Sequence, residues 1–321
     1  MYSRVVRIST RKYIMLLGFL LFIAALTGCK KESELTREEY VQYIVGQVRS
    51  HSLESYVMWL EGMGTRFALA DNRRDVAISI RNRFIALGYP QARLDSFYMP
   101  FTHDDIDYSS WQYNVIATVD GMQDDSICII GAHYDDIISD GNPFIVAPGA
   151  NDNASGVAAL LEMARIIRLN NFRPKHDIKF TAFAAEELGL YGSRYQAGKA
   201  AEAGDKIIMM INYDMIAYLA DPSASPWHVN IVHYDNSEAL RDEAADYCLT
   251  NSDLVPYSDN SNYNRSDSYS YFLNGYKALF YHQNELETTY HTTGDVTSVC
   301  NFKYAREIVK ASFALVVDKN Y

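Results

Sequence analysis

The sequence predicts an α/β protein folded as a single domain, and two observations predict it. Apolar runs of strand length alternate along the chain with longer amphipathic stretches of helix period, the pattern of strands feeding helices. Carboxylates and imidazoles gather directly after those runs, where an open α/β sheet places its ligands beyond the carboxyl ends of the strands. No internal repeat, low-complexity tract or interdomain linker interrupts the 321 residues.

Taken in order, Thr36-Arg37-Glu38-Glu39 reads as a capping box that opens a helix with Tyr40, Ile44 and Val48 on one face. Helical segments follow at 53–61 and 71–87, the second stopped by Gly88. Strands are predicted at 113–119, 126–132, 178–185, 206–213, 229–233 and 278–281. Amphipathic helices are predicted between them at 156–169, 192–203 and 237–250.

The first 28 residues stand apart from this body. Arg4, Arg7, Arg11 and Lys12 precede an apolar run, Tyr13 to Ala25, that is short for a membrane span, and Leu26-Thr27-Gly28-Cys29 closes it. This resembles the signal of bacterial lipoproteins, which implies cleavage before Cys29 and a lipid on it. The expected organisation is a signal at 1–28, a tether at 29–35 and a catalytic body at 36–321. The expected place is the cell envelope, lipid-anchored at the outer membrane on its periplasmic or surface face, and the body is expected to be a monomer. Losing four cations and no acid takes the formal net charge from -11 to -15, a poor partner for nucleic acid. After Cys29 only Cys128, Cys248 and Cys300 remain, too few for a disulfide scaffold. Cys128 sits within the apolar run SICIIGA and reads as a buried thiol, whereas a bridge between Cys248 and Cys300 is permitted but not indicated.

The polar residues after the runs are His133-Tyr134-Asp135-Asp136, the loop Gly149-Ala150-Asn151-Asp152-Asn153-Ala154-Ser155-Gly156, Glu186-Glu187, Asp214, and Glu285 followed by Tyr290-His291-Thr292. Taken singly each has an ordinary reading: Asp152 as a helix cap, Asp214 as a solvated strand end, His291 as a surface histidine. The same ordinary reading holds for His51, His103, His176, His228, His233 and His282. Together, two His, two Asp and a Glu at strand ends have the nitrogen and oxygen donors expected of paired zinc ions. No convincing Ser or Cys nucleophile accompanies them. Consecutive residues of an extended chain point to opposite sides, so the pair Glu186 and Glu187 could divide two tasks.

In order and approximate spacing, His133-x-Asp135, the GANDNASG loop, Glu186-Glu187, Asn212-Tyr213-Asp214-Met215 and Tyr290-His291-Thr292 resemble the M28 family of zinc aminopeptidases. The resemblance implies a three-layer α/β/α fold with a central mixed, mostly parallel sheet, and two Zn²⁺ ions. Asp152 would bridge the ions, His133 and Asp214 would complete one site, and Glu187 and His291 the other. Asp135 would hold the His133 imidazole, Glu186 would be the general base acting on a metal-activated water, and Tyr263 would donate to the oxyanion. A cis peptide is implied between Asp152 and Asn153. Two departures stand out: the family often shows Ser-Asp-His where this chain has Ser266-Asp267-Ser268, and Tyr263 lies in an Asn-, Ser- and Tyr-rich loop.

The implied activity is removal of amino-terminal residues from peptides. A glutaminyl-cyclase-like cyclisation on one zinc, a carboxypeptidase, and a non-catalytic protease-like ectodomain are the alternatives. The complete second ligand pair argues against the cyclase, and the retention of all six ligand and base positions argues against the ectodomain.

Overall fold

The computed structural model describes residues 35–103, 105–123 and 126–321. The signal segment and Cys29 lie outside the described residues, and of the tether only Leu35 is described. The chain divides into two units, Met1–Tyr40 and Val41–Tyr321. At the end of the first unit the capping box forms as expected. The Thr36 backbone N–H donates to Glu39 Oε2 at 2.9 Å and the Glu39 N–H donates to Thr36 Oγ1 at 3.2 Å, satisfying two donors that open helix α1 (Arg37–Val45).

The second unit is an eight-stranded sheet with helices on both faces. Its elements in chain order are α2 (Ser50–Glu61), α3 (Arg73–Ala86), β1 (Arg93–Met99), β2 (Thr102–His103), β3 (Ile106–Asp107), β4 (Ser110–Val119) and β5 (Ile127–His133). Then come α4 (Ser155–Leu169), β6 (Asp177–Phe183), α5 (Tyr191–Ala203), β7 (Ile207–Tyr213), β8 (Trp227–His233) and α6 (Glu238–Asn251). Strand β9 (Leu254–Tyr257), α7 (Ser268–Leu273), β10 (Ala278–Gln283) and α8 (Phe302–Lys319) complete it. The sheet order is β1-β4-β6-β5-β7-β10-β8-β9, with β2 and β3 forming a separate hairpin. Strands β6, β5, β7 and β10 run parallel through the centre, while β1, β4 and β8 join antiparallel and β9 pairs parallel to β8. This is the mixed, mostly parallel sheet of a three-layer sandwich.

Alternation along the strands separates the two helical layers. Tyr213 points to one face, where its hydroxyl reaches Ser312 of α8 and Met163 of α4. Phe180 points the same way and stacks on Phe84 of α3. Met210 and Phe183 point to the other face and pack with Ala197 and Ala200 of α5 and Tyr271 of α7. Because both faces are covered, β5 is buried at nearly every position and reads as a continuous apolar run. Helix α4 is enclosed almost all round, and each fully buried Leu or Ile, such as Leu160, Leu161 and Ile166, contributes about 1.5–3 kcal/mol by leaving water.

Cys128, Cys248 and Cys300 are all free thiols, so the Cys248–Cys300 bridge does not form, and Cys128 is buried as expected. Its thiol is pushed up to about 12, chiefly by burial. No helix among the described residues is long and apolar enough to cross a membrane.

Candidate metal centre and active site

Strand ends deliver the site. His133 is the last residue of β5, Asp214 follows β7, Glu186 and Glu187 follow β6, and His291 follows β10. Asp152 lies in a five-residue π turn, Ala150–Ala154, that feeds α4. The Asp152–Asn153 peptide is cis, as the sequence resemblance implies.

These side chains converge on one void with Asp152 at its middle. Asp152 Oδ1 lies 3.3 Å from His133 Nε2, which is 3.4 Å from Asp214 Oδ1. Asp152 Oδ2 lies 3.1 Å from His291 Nε2, which is 3.1 Å from Glu187 Oε2. One carboxylate thus offers one oxygen to a His-Asp pair and the other to a His-Glu pair. Two groups of three potential ligands result, His133-Asp152-Asp214 and Asp152-Glu187-His291. Glu186 borders the void and groups with His133 and Glu187, close enough to coordinate but outside both sets that share Asp152.

The donor set fits cations. His291 Nε2 is 3.1 Å from two carboxylates but makes a hydrogen bond to neither, and the buried Glu187 Oε1 likewise has no partner among the described residues. Nitrogen and oxygen lone pairs that face a shared void without donating or accepting are arranged as ligands. The electrostatics agree. Burial pushes the Glu187 carboxyl up to about 8, with the Asp152 charge adding to it. Burial also raises Glu186 well above the ordinary range, with Glu187, Asp214 and Asp267 pushing the same way. Burial alone would lower His133, yet the charges of Asp214, Glu186 and Asp152 hold it well above its ordinary value. Among the described residues, the cationic groups that touch these carboxylates inside the void are the imidazoles of His133 and His291.

Neighbouring residues hold Asp214 and the turn that carries Asp152. The Ser266 hydroxyl donates to Asp214 Oδ2 at 2.6 Å and accepts from Asn212 Nδ2 at 2.6 Å. Asn153 donates to the Tyr213 carbonyl at 2.8 Å and accepts from the Gly156 N–H at 3.0 Å, tying the Asp152 turn to the end of β7. Asp295 accepts the N–H groups of Asn151 and Asp152. Arg66 is buried; it donates to the Tyr134, Pro148 and Gly149 carbonyls and pairs with Asp136 Oδ2 at 3.1 Å, clamping the loop that leads into Asp152. Of these, Arg66 and Asp295 were not singled out from sequence; Asp295 stands four residues after His291, whereas Arg66 lies far along the chain from every motif.

Three expectations need correction. The His133 Nδ1 partner is the backbone carbonyl of Asp135 at 3.1 Å, while the Asp135 carboxylate stands 3.7 Å away and instead accepts the N–H groups of Glu186 and Glu187 at 3.0 and 3.2 Å. The two glutamates are not consecutive residues of a pleat: β6 ends at Phe183, Ala185 adopts φ 56°, and a turn closes with Gly189 and Leu190 donating to the Glu186 carbonyl. Tyr263 does not line the cleft; its ring packs against Tyr234 and Tyr269 and is 42% exposed. The tyrosine that does line it is Tyr290, stacked on His291 with ring centroids 3.7 Å apart. Left-handed backbone recurs at this site, at Ala185 before the glutamates, Met215 after Asp214 and His291 itself, a concentration of strain typical of functional positions.

Comparison with known proteins places this arrangement. The chain is 28% identical over 300 residues to a probable aminopeptidase of Saccharomyces cerevisiae, an alignment covering 89% of this chain and 77% of that protein. It is 33% identical over 195 residues to a probable zinc metalloprotease of Pyrenophora teres, there spanning 56% of this chain but only 41% of the relative. Among solved structures, the LapA aminopeptidase of Legionella pneumophila superposes with a TM-score of 0.74 at 22% identity, covering 92% of this chain and 78% of that one, a likeness of fold. The family model for peptidase family M28 matches residues 114–316, well over half the chain and a span that holds all five converging side chains, and the protein therefore belongs to peptidase family M28.

Proposed function

We propose that the protein is a zinc-dependent exopeptidase that removes amino-terminal residues from peptides, with two zinc ions in the cleft. Support comes from the family, from relatives described as an aminopeptidase and a zinc metalloprotease, and above all from the Asp152 carboxylate set between two further ligand pairs. His133 and Asp214 would hold one ion, Glu187 and His291 the other, and Asp152 one oxygen toward each. When bound, such ions supply Lewis acidity, polarising the scissile carbonyl and making water a nucleophile at neutral pH.

The protein's own part is proton handling and orientation. Glu186 is the general base and then the general acid: it takes the proton of the attacking water and returns it to the leaving amine. Burial and the neighbouring charges of Glu187, Asp214 and Asp267 raise its pKa, while the imidazole of His133 opposes them. Asp135 positions it by accepting the backbone N–H groups of both glutamates. The anionic floor of the cleft suits the α-ammonium group of a free amino terminus.

The test is hydrolysis of leucine p-nitroanilide against its N-acetyl derivative, with and without chelator. Turnover of the free amine alone, abolished by chelator and restored by zinc, is expected. Equal hydrolysis of the acetylated substrate, or indifference to chelator, would sink the reading.

The segment before the body supports a proposal of its own, a lipid on Cys29 that anchors the protein in the cell envelope. Cys29→Ala then gives a water-soluble protein with unchanged peptidase activity. Detergent partitioning as firm as that of the parent chain would contradict it.

A further inference from the structure

The cleft, about 560 Å³, has walls of opposite charge. Its floor carries Asp152, Glu186, Glu187 and Asp214, and its rim carries Arg194 and Arg265. Among the described residues neither guanidinium has a hydrogen-bonding, ionic or ring partner, although the chain holds 40 acidic residues against 29 basic ones. Arg66, beneath the same site, is by contrast fully engaged. The position of Arg194 works against local stability as well. It lies in the first turn of α5, where the helix dipole and free N–H groups favour an acid and disfavour a cation, and no acid is there to offset it. Arg265 ends a polar loop and directly precedes Ser266, which holds Asp214. Two unpaired cations therefore face the same solvent-open space as the anionic floor.

We propose that Arg194 and Arg265 form a subsite for a carboxylate on the leaving side of the scissile bond, supplied by the free carboxyl terminus of a short peptide or by an acidic side chain. This deepens the exopeptidase reading and rests on it. A guanidinium fork matches a carboxylate in shape and charge, and the bond is strengthened by that charge. In the loaded protein the floor carboxylates are taken up with the metal ions, and the arginine rim is the chain's own cationic partner for that group. A short peptide has an ammonium group at one end and a carboxylate at the other, and the cleft has the same polarity from floor to rim. Its volume falls within the range of small-ligand clefts, roughly 300–1,000 Å³, which suits a short peptide better than a folded chain.

The experiment compares kcat/KM for Leu-Gly with Leu-Gly-amide, and for Leu-Glu-amide with Leu-Gln-amide, in the zinc-loaded full chain and in the Arg194→Gln/Arg265→Gln double variant. The first pair reads a terminal carboxylate and the second a side-chain one. In the parent chain at least one pair should favour the carboxylate about tenfold, the scale of a single charge-assisted hydrogen bond, and the double variant should bring that ratio close to one. Calorimetric binding of the same peptides to the chelator-treated chain repeats the comparison without turnover. Ratios near one in the parent chain for both pairs, or a preference that survives the double substitution, overturn the subsite. If zinc restores no turnover of any peptide while the binding preference follows the arginines, the exopeptidase reading falls and the subsite stands.

Discussion

Asp295 accepts the backbone N–H of Asp152 through one carboxylate oxygen at 2.9 Å and that of Asn151 through the other at 2.8 Å. Its own carbonyl accepts the N–H of Ala150 at 3.0 Å, so one residue receives three successive donors of the turn that carries Asp152. Asp295 also follows His291 by four residues, and the contact makes two ligand loops into one unit. Asp295→Asn leaves only one oxygen to accept and turns an N–H₂ toward a backbone N–H. Zinc affinity should fall about 10–100-fold, as for other residues that orient ligands, with the circular dichroism spectrum unchanged. Chelator competition reads the affinity, and an unchanged value would show that the turn holds itself.

Glu186 and Glu187 separate under substitution. Glu186→Gln should keep its zinc and lose about 10²–10⁴-fold in kcat, since only proton transfer is removed. Glu187→Gln should lose zinc instead. Metal analysis beside kinetics decides the assignment, which is reversed if Glu186→Gln is the variant that loses metal.

Gly149 introduces the Asp152 turn with φ 49°. A Cβ there would lie 2.5 Å from the Asp152 carbonyl oxygen, 2.6 Å from Asp136 Cβ and 2.7 Å from Arg66 Nη2. Left-handed strain and overpacking act together, and Gly149→Ala should cost about 2 kcal/mol or more in denaturant unfolding. A neutral result would mean that the Arg66 clamp yields.

Glu307 gives a stability signal remote from the ligands. Burial raises its carboxyl pKa, but Lys310 and Arg306 outweigh burial and hold it below the ordinary carboxylate value. A depressed pKa stabilises the fold above the unfolded value, about 4.3, and that contribution is lost as pH falls through the folded value. Glu307→Gln should therefore lower stability at neutral pH and flatten its decline below about pH 4.5. Parallel stability curves for the two proteins across that acid range would contradict this.

The central strands were readable because burial on both faces writes them as continuous apolar runs, as in β5 and β7. The edges were not. Strand β1, RLDSFYM, is mostly exposed or half-buried, and β9 is four residues long and contains Pro256, which only an edge strand accommodates. Helix α7, SYSYFL, lacks any polar face to give it a period. At the site, His133, Glu186, Glu187 and Asp214 stood out because each comes at or just after an apolar run. The orientation of Glu186 and Glu187 was not, because it depends on the left-handed Ala185 and on the Asp135 carboxylate rather than on strand alternation. Tyr263 matched by position alone, and the packing of its ring on Tyr234 and Tyr269 is a tertiary fact that no local pattern encodes.

The central claim is that one carboxylate, Asp152, serves two ions. The most direct measurement is a crystal structure of the zinc-loaded protein with anomalous scattering collected at the zinc edge. The account predicts two peaks roughly 3.5–4 Å apart, one against His133 and Asp214, the other against Glu187 and His291, with an Asp152 oxygen on each. A single peak at full zinc loading, or two peaks of which Asp152 touches only one, would contradict it.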